Sequence, residues 1–289
     1  MNYLKIIFSL TTSATELRPI AQDVLAEQLG NIGFEAFEEA GNEFIGYIQK
    51  ELFDKSRLDE ELAAFPIEGV NIGYLSEEME NKDWNAAWEE DGFEPIVIDD
   101  AVTIYDAYHT DAAAISRLTT PVNVGIEARQ AFGTGTHQTT RMVVRTMLNI
   151  EMNGLRVLDC GCGTGILSIV ASKLGAESVV AYDIDEWSVE NTRHNAQLNG
   201  VENIEVFSGD ASVLTHVSGV FDVVLANINR NILIHDMGAF KEAMRTNSLL
   251  VLSGFYAADA PLIAEAAREQ GLTIINSRTE DDWCCLILK

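Results

Sequence analysis

The sequence predicts an α/β protein, a mostly parallel sheet covered by helices on both faces, preceded by a small α+β unit of ferredoxin-like arrangement. Three observations carry this reading. From Arg156 onward, strand-like and helix-like segments alternate. Within that stretch the apolar run Val157-Leu-Asp-Cys breaks into Gly161, Gly163 and Gly165 and then opens the helical segment Ile166–Leu174. A strand, a turn without Cβ atoms and a helix are how such a sheet presents backbone N–H groups to a ligand. The first 80 residues keep a separate β-α-β-β-α-β rhythm.

In that first unit Tyr3–Ser9 is strand-like, and Leu17, Ile20, Val24, Leu25 and Leu29 recur at helical spacing over Glu16–Leu29 until Gly30 ends the helix. Phe34–Glu38 and Glu43–Ile48 read as a hairpin turning at Ala40-Gly41-Asn42. Ser56 is the expected cap of a short helix through Leu62, and Gly69–Leu75 returns as the last strand. Acidic residues far outnumber basic ones between Glu16 and Glu68, and no catalytic cluster is present. Such a module suits recognition of a basic protein, or forms a solvated acidic surface.

Residues 81–94 are dense in acids and hold Trp84 and Trp88, four apart and so on one face of a helix that Gly92 would end. This segment is expected to join residues 1–80 to a second domain over 95–289. That domain begins at Pro95 with two strand-like runs, Ile96 to Tyr105, about an acidic turn. A loop with Gly133 and Gly135 then precedes an amphipathic helix containing Met142, Val143, Thr146, Met147 and Ile150, capped by Thr136 or Thr139. The loop serves either as a lid that folds over a ligand near Phe132 or as plain helix entry.

The core then runs strand Arg156–Cys160, helix Ile166–Leu174, strand Ser178–Asp183, helix Glu186–Asn199, strand Ile204–Gly209 and strand Phe221–Asn227. Helix Asn231–Arg245, strand Ser248–Gly254, helix Asp259–Gln270, and strands Thr273–Arg278 and Trp283–Leu288 complete it. Ligands of such sheets bind beyond the carboxyl ends of the strands. There stand the glycine turn and Asp183, which ends the next strand and suits the two hydroxyls of a ribose. The turn is G-x-G-x-G, not the G-x-G-x-x-G of dinucleotide binders. Asp210 follows the third strand and either reaches an adenine amino group or caps the next segment; Asp185 is the simpler N-cap. Asn227, Asn229 and Asn231 crowd the end of the fourth strand, where an amide oxygen can hold an amine N–H, or where Asn side chains stabilise a turn. His137 is the nearest candidate base, and more simply a loop residue satisfied by hydrogen bonds.

Bulk properties narrow the function. With 45 acidic and 19 basic residues the formal net charge is -26, which repels nucleic-acid phosphates and anionic membranes and attracts basic partners. No run approaches the ~20 apolar residues of a membrane span, no secretion signal is evident, and a cytoplasmic, monomeric protein is expected. Cys160, Cys162, Cys284 and Cys285 lack metal or redox spacing, so buried thiols and no metal site are expected.

Together, Leu158-Asp-Cys-Gly-Cys-Gly-Thr-Gly165 and the strand ends at Asp183, Asp210 and Asn227 resemble the motifs of S-adenosylmethionine-dependent class I methyltransferases, with their Rossmann-like sheet. Ala131-Phe-Gly-Thr-Gly-Thr-His-Gln-Thr-Thr140, the Trp84 to Trp88 segment, Leu252-Ser-Gly254 and the terminal Asp282–Lys289 are more closely similar to the PrmA family, methyltransferases of large-subunit ribosomal protein L11. The resemblance covers nearly the whole chain. It implies an N-terminal domain that grips the ribosomal protein and a C-terminal domain that methylates its amines. By the family pattern Thr140, Gly161, Asp183 and Asn227 would contact S-adenosylmethionine, with Gly163, Phe132 and Asp210 beside them and Asn227 positioning the amine. Gln138 stands where the family often has proline, and Asn229-Arg230 replaces a more apolar pair. Alternatives are a methyltransferase of another amine or amide, such as a nucleobase or a glutamine, a non-catalytic nucleotide-binding protein, or an oxidoreductase on the same sheet.

Overall fold

The computed structural model describes residues 3–12, 17–30, 32–40, 43–50, 52–67, 69–78, 92–128, 133–217 and 219–289. Two compact units divide the chain, Met1–Asp83 and Trp84–Lys289. The Trp84–Trp88 segment, Phe132 and the hairpin tip at 41–42 lie outside the described residues.

In the first unit β1 (Tyr3–Thr12), α1 (Leu17–Gly30), β2 (Phe34–Ala40), β3 (Glu43–Gln49), α2 (Lys55–Ala63) and β4 (Val70–Glu78) form one antiparallel sheet in the order β2-β3-β1-β4. Placing β1 and β3 in the centre is the ferredoxin-like order. Ile6, Phe8, Leu25, Leu29, Ile48 and Leu58 are its fully buried centre. The cap of α2 is Asp54, whose carboxylate accepts from the N–H groups of Ser56 at 2.9 Å and Arg57 at 3.2 Å. Ser56 lies inside the helix: a carboxylate two residues earlier reaches the free N–H groups of the first turn and adds charge at the positive end of the helix dipole.

The second unit opens with β5 (Ile96–Ile98), β6 (Val102–Asp106), a short α3 (Ala112–Ile115) and β7 (Val122–Ile126), the strands forming a separate sheet. Asp99 and Asp100 make the β5–β6 turn at positive φ. Helix α4 (Gln138–Met147) follows, then β8 (Arg156–Cys160), α5 (Ile166–Lys173), β9 (Ser178–Asp183), α6 (Glu186–Leu198), β10 (Ile204–Ser208) and β11 (Phe221–Asn227). After α7 (Arg230–Ala243), β12 (Met244–Tyr256), α8 (Ala260–Glu269), β13 (Ile274–Glu280) and β14 (Trp283–Leu288), the sheet reads β10-β9-β8-β11-β12-β14-β13. Only β14 runs against its neighbours, so β8, β9, β10 and β11 all end on one edge. The expected segment boundaries hold within a few residues. The exception is β12, which begins at Met244 directly after α7 because Met244 already pairs with Phe221.

Alternate residues of the central strands serve two cores. Val157, Val223, Leu225 and Val251 face α4 and α5, while Leu158, Val224, Ala226, Leu250 and Leu252 face α7 and α8. Burial on both faces is why these strands read as unbroken apolar runs, each fully buried aliphatic side chain contributing roughly 1.5–3 kcal/mol. All four cysteines are free and buried, and burial pushes the Cys285 thiol up to about 12. Among the described residues no helix is long and apolar enough to cross a membrane.

Candidate functional site

The turn after β8 folds back on β9. The N–H groups of Gly161 and Cys162 donate to the Tyr182 carbonyl at 2.9 and 3.1 Å, and that of Gly165 to the Cys162 carbonyl at 2.8 Å. Gly161 has φ of +72°, and a Cβ there would collide with Cγ2 of Ile228, in the loop after β11. Gly254, at φ +91°, plays the same part from β12: a Cβ would meet the Ile228 backbone. Two glycines, one in the turn after β8 and one on β12, thus flank β11 on either side and let the Asn227–Asn229 loop settle between them.

Asp183 joins the turn to its strand end. Its Oδ2 accepts from the Gly163 N–H at 2.9 Å and its Oδ1 from the Asp185 N–H at 3.0 Å, leaving each oxygen a second acceptor direction. Burial raises its pKa, while the Asp185 and Gly163 N–H groups favour the charged form and oppose the rise. Asp185 caps α6, accepting from the Trp187 N–H. Asp210 caps the short 3-10 turn after β10, its Oδ1 accepting from the Ser212 N–H at 2.9 Å, which lowers its pKa.

Asn227 ends β11. Its Nδ2 donates to the Thr140 hydroxyl at 3.4 Å, while its Oδ1 is buried without a partner. A buried amide oxygen left unpaired costs about 1–3 kcal/mol and calls for a donor. Thr140 lies in the first turn of α4, whose N-cap is His137, not Thr136 or Thr139. The His137 Nδ1 accepts from the Thr139 N–H at 3.3 Å and lies 2.8 Å from the Thr139 hydroxyl. Burial and the nearby Arg141 charge lower the His137 pKa, as an accepting Nδ1 requires. His137 is therefore a satisfied cap. The two departures from the family pattern also take structural partners. Gln138 donates to Asp281 at 2.9 Å, Asn229 caps α7 through the Ile232 N–H, and Arg230 pairs with Asp259 at 2.7 Å.

Two features escaped the reading of the sequence. Asn191 and Asn195 on α6 and Asn199 at its C-cap, spaced four apart, pin the end of β7 and the residue that follows it. Asn199 accepts from the Gly125 N–H at 3.0 Å and donates to its carbonyl at 2.7 Å, and Asn195 pairs with Glu127 and with the Thr164 carbonyl of the glycine turn. The N-x-x-x-N-x-x-x-N spacing was the available signal. Downstream, the Gly133 carbonyl accepts from the Thr164 hydroxyl at 2.6 Å, bringing the loop before α4 onto the turn.

The second is Asp159, the one carboxylate of β8's apolar core. It is fully buried, its Oδ2 accepting from the Ser168 hydroxyl at 2.6 Å and its Oδ1 unpaired. Burial raises its pKa from 3.8 to about 6, against the Ser168 hydrogen bonds and with the Asp183 charge adding. A raised carboxyl stabilises the fold most below its unfolded pKa, and that contribution fades as pH climbs through the folded value. Stability is thus expected to fall by about 3 kcal/mol between roughly pH 4 and 6 from this group. Asp159→Asn should flatten that slope in thermal unfolding followed against pH; an unchanged slope refutes it.

Glycine turn, Asp183, Asp210 and Asn227 therefore line one edge formed by four adjacent strands, a span of about 14 Å at the usual strand spacing. Similarity to known proteins fits this geometry. The sequence pattern of the family described as "Ribosomal protein L11 methyltransferase (PrmA)" matches residues 20–289. A protein of that name from Bacteroides fragilis is 42% identical over 286 residues, covering 99% of each chain. One from Porphyromonas gingivalis is 41% identical over 287 residues, 99% of this chain and 97% of that one. The crystal structure of ribosomal protein L11 methylase from Lactobacillus delbrueckii subsp. bulgaricus superimposes with a TM-score of 0.60 at 28% identity, over 68% of this chain and 98% of that one. With its glycine turn, its strand-end carboxylates and its asparagine all on one sheet edge, the chain belongs to the ribosomal protein L11 methyltransferase (PrmA) family.

Proposed function

We propose that this chain transfers methyl groups from S-adenosylmethionine to amines of ribosomal protein L11, the lysine side chains, the N-terminal α-amine or both. The observation that carries the reading is the buried, unpartnered Oδ1 of Asn227, an acceptor at the strand end where a substrate N–H is needed. S-adenosylmethionine supplies a methyl group on a cationic sulfur, which departs as a neutral thioether.

The protein's residues bind and aim. The turn from Gly161 through Gly163 passes its backbone beneath the ligand, and Asp183 keeps acceptor directions for two ribose hydroxyls. Asp210, with one oxygen held by Ser212, has the other for an adenine amino group. Phe132, a cofactor contact by the reading of the sequence, lies outside the described residues. Thr140 fixes the Asn227 amide so that its Oδ1 accepts one N–H of the neutral amine and turns the lone pair toward the methyl carbon. Attack forms the N–C bond as the C–S bond breaks, and the extra proton on nitrogen leaves to solvent. Alignment at roughly 3 Å supplies most of the rate enhancement. Before attack the ammonium must lose a proton, which removal from water favours.

Residues 1–80 bind the basic ribosomal protein through their acidic surface, 81–94 link, and 95–289 catalyse, in a cytoplasmic monomer that needs neither metal nor nucleic acid. Incubating the protein with radiolabelled S-adenosylmethionine and L11 should label L11. Deleting residues 1–80 should abolish that labelling while cofactor binding stays within a few fold by calorimetry. Label on RNA with none on L11 refutes the substrate; equal loss of both properties refutes the division of labour.

A further inference from the structure

Side chains on β12 and β14 alternate across the sheet, leaving one pair of aromatic rings beside the site. Phe255 and Cys284, paired in register, enter the core under α7 and α8. Their neighbours Tyr256 and Trp283, also paired, therefore face the side covered by α4, where Trp283 packs on that core. The two rings stack with centroids 4.3 Å apart and planes 28° from parallel, and His137 meets Trp283 edge-on at 4.5 Å and 76°. Despite this packing Tyr256 is 52% exposed.

The stack is tied to Asn227 from two directions. Ser253, three residues before Tyr256, is the register partner of Asn227. The first turn of α4, which brings His137 to Trp283, also brings Thr140 to Asn227. The rings thus lie on the amide's side of the sheet, Tyr256 one strand and Trp283 two strands over, on the order of 10 Å away.

We propose that the Tyr256–Trp283 stack is the acceptor wall of the site, receiving the substrate's alkylammonium group and its methylated forms by cation–π attraction. This rests on the reading of the chain as an amine methyltransferase. Each methyl added to nitrogen removes an N–H donor and adds apolar surface, so a site built on hydrogen bonds alone loses its product as methylation advances. Aromatic faces keep hold of it, because they attract the charge whatever its substituents. Nearby charges agree: Arg141, whose charge acts on His137, is paired with Glu280, and Asp281 and Asp282 precede Trp283 in the β13–β14 turn. His137 adds no positive charge while its Nδ1 accepts hydrogen bonds.

Tetramethylammonium, titrated into the full-length protein, reads this wall without turnover. The chain has four tryptophans, and Trp283→Phe identifies the indole N–H signal of Trp283 in NMR spectra. That signal should shift saturably, with affinity at least threefold weaker in Tyr256→Ala and retained in Tyr256→Phe. With L11 as substrate, Tyr256→Ala should raise KM by a similar factor and stall product at lower methylation states, while Tyr256→Phe restores both. No saturable shift, or one unaltered in Tyr256→Ala, overturns the proposal. An unchanged spread of methylation states also overturns it. Failure of the unmodified protein to methylate L11 refutes the functional reading instead, and leaves the tetramethylammonium result to decide this one.

Discussion

Asp183→Ala is expected to weaken S-adenosylmethionine binding by at least 100-fold, a loss that calorimetry at neutral pH would read. Hydrogen bonds to a charged acceptor contribute about 1.5–3 kcal/mol each, and two ribose hydroxyls on one carboxylate bring roughly 3–4 kcal/mol, or a few hundredfold in Kd. The substitution also frees the N–H groups of Gly163 and Asp185, both now held by the carboxylate, so the turn loses the geometry that admits the ligand. Asp183→Asn separates the two effects. One amide oxygen holds one N–H and leaves the other facing an amide NH2, so binding should fall between wild type and Ala. Loss of less than threefold in Asp183→Ala, with the fold intact by circular dichroism, refutes the assignment.

Asn227→Ala is expected to lower kcat on L11 by roughly 100-fold, about 3 kcal/mol of transition-state positioning. The argument starts from the unpartnered Oδ1 and from Thr140, which holds the amide's other end. Removing that oxygen leaves the amine N–H without its acceptor and the lone pair without its direction, while the glycine turn and Asp183 are untouched. Kd for S-adenosylmethionine should therefore change far less than kcat. A variant with wild-type kcat would show that the amine is aimed by something else. Thr140→Val, which keeps the shape and removes the hydroxyl, should give a smaller kcat loss in the same direction.

Much of this was legible in the chain. The alternation from Arg156 onward, the glycine turn, and the acid and asparagine at successive strand ends follow from local chemistry. A doubly buried strand must be apolar along its length, and a turn passing beneath a ligand must lack Cβ atoms. For the same reason Asp185 and Asn229 were readable as polar residues at helix starts or turns. Caps were harder, since several residues in one turn offer an oxygen or nitrogen: Asp54 displaced Ser56, and His137 displaced two threonines. The strand β7 passed unnoticed because its ladder is completed partly by asparagine side chains from α6, a partner more than sixty residues away.

By itself the sequence determined the fold class, the family and the strand ends at which the glycine turn, Asp183 and Asn227 stand, because each rests on short-range patterns of polarity and backbone freedom. Only the tertiary structure decided that Ile228 seats against Gly161 and Gly254, that Asn227 Oδ1 is left without a donor, that Asp159 is buried with half its carboxylate unpaired, and that Tyr256 stacks on Trp283 beside the site. These are statements about which distant groups meet and which polar atoms remain unmet, and they exist only once the strands have taken their order in the sheet.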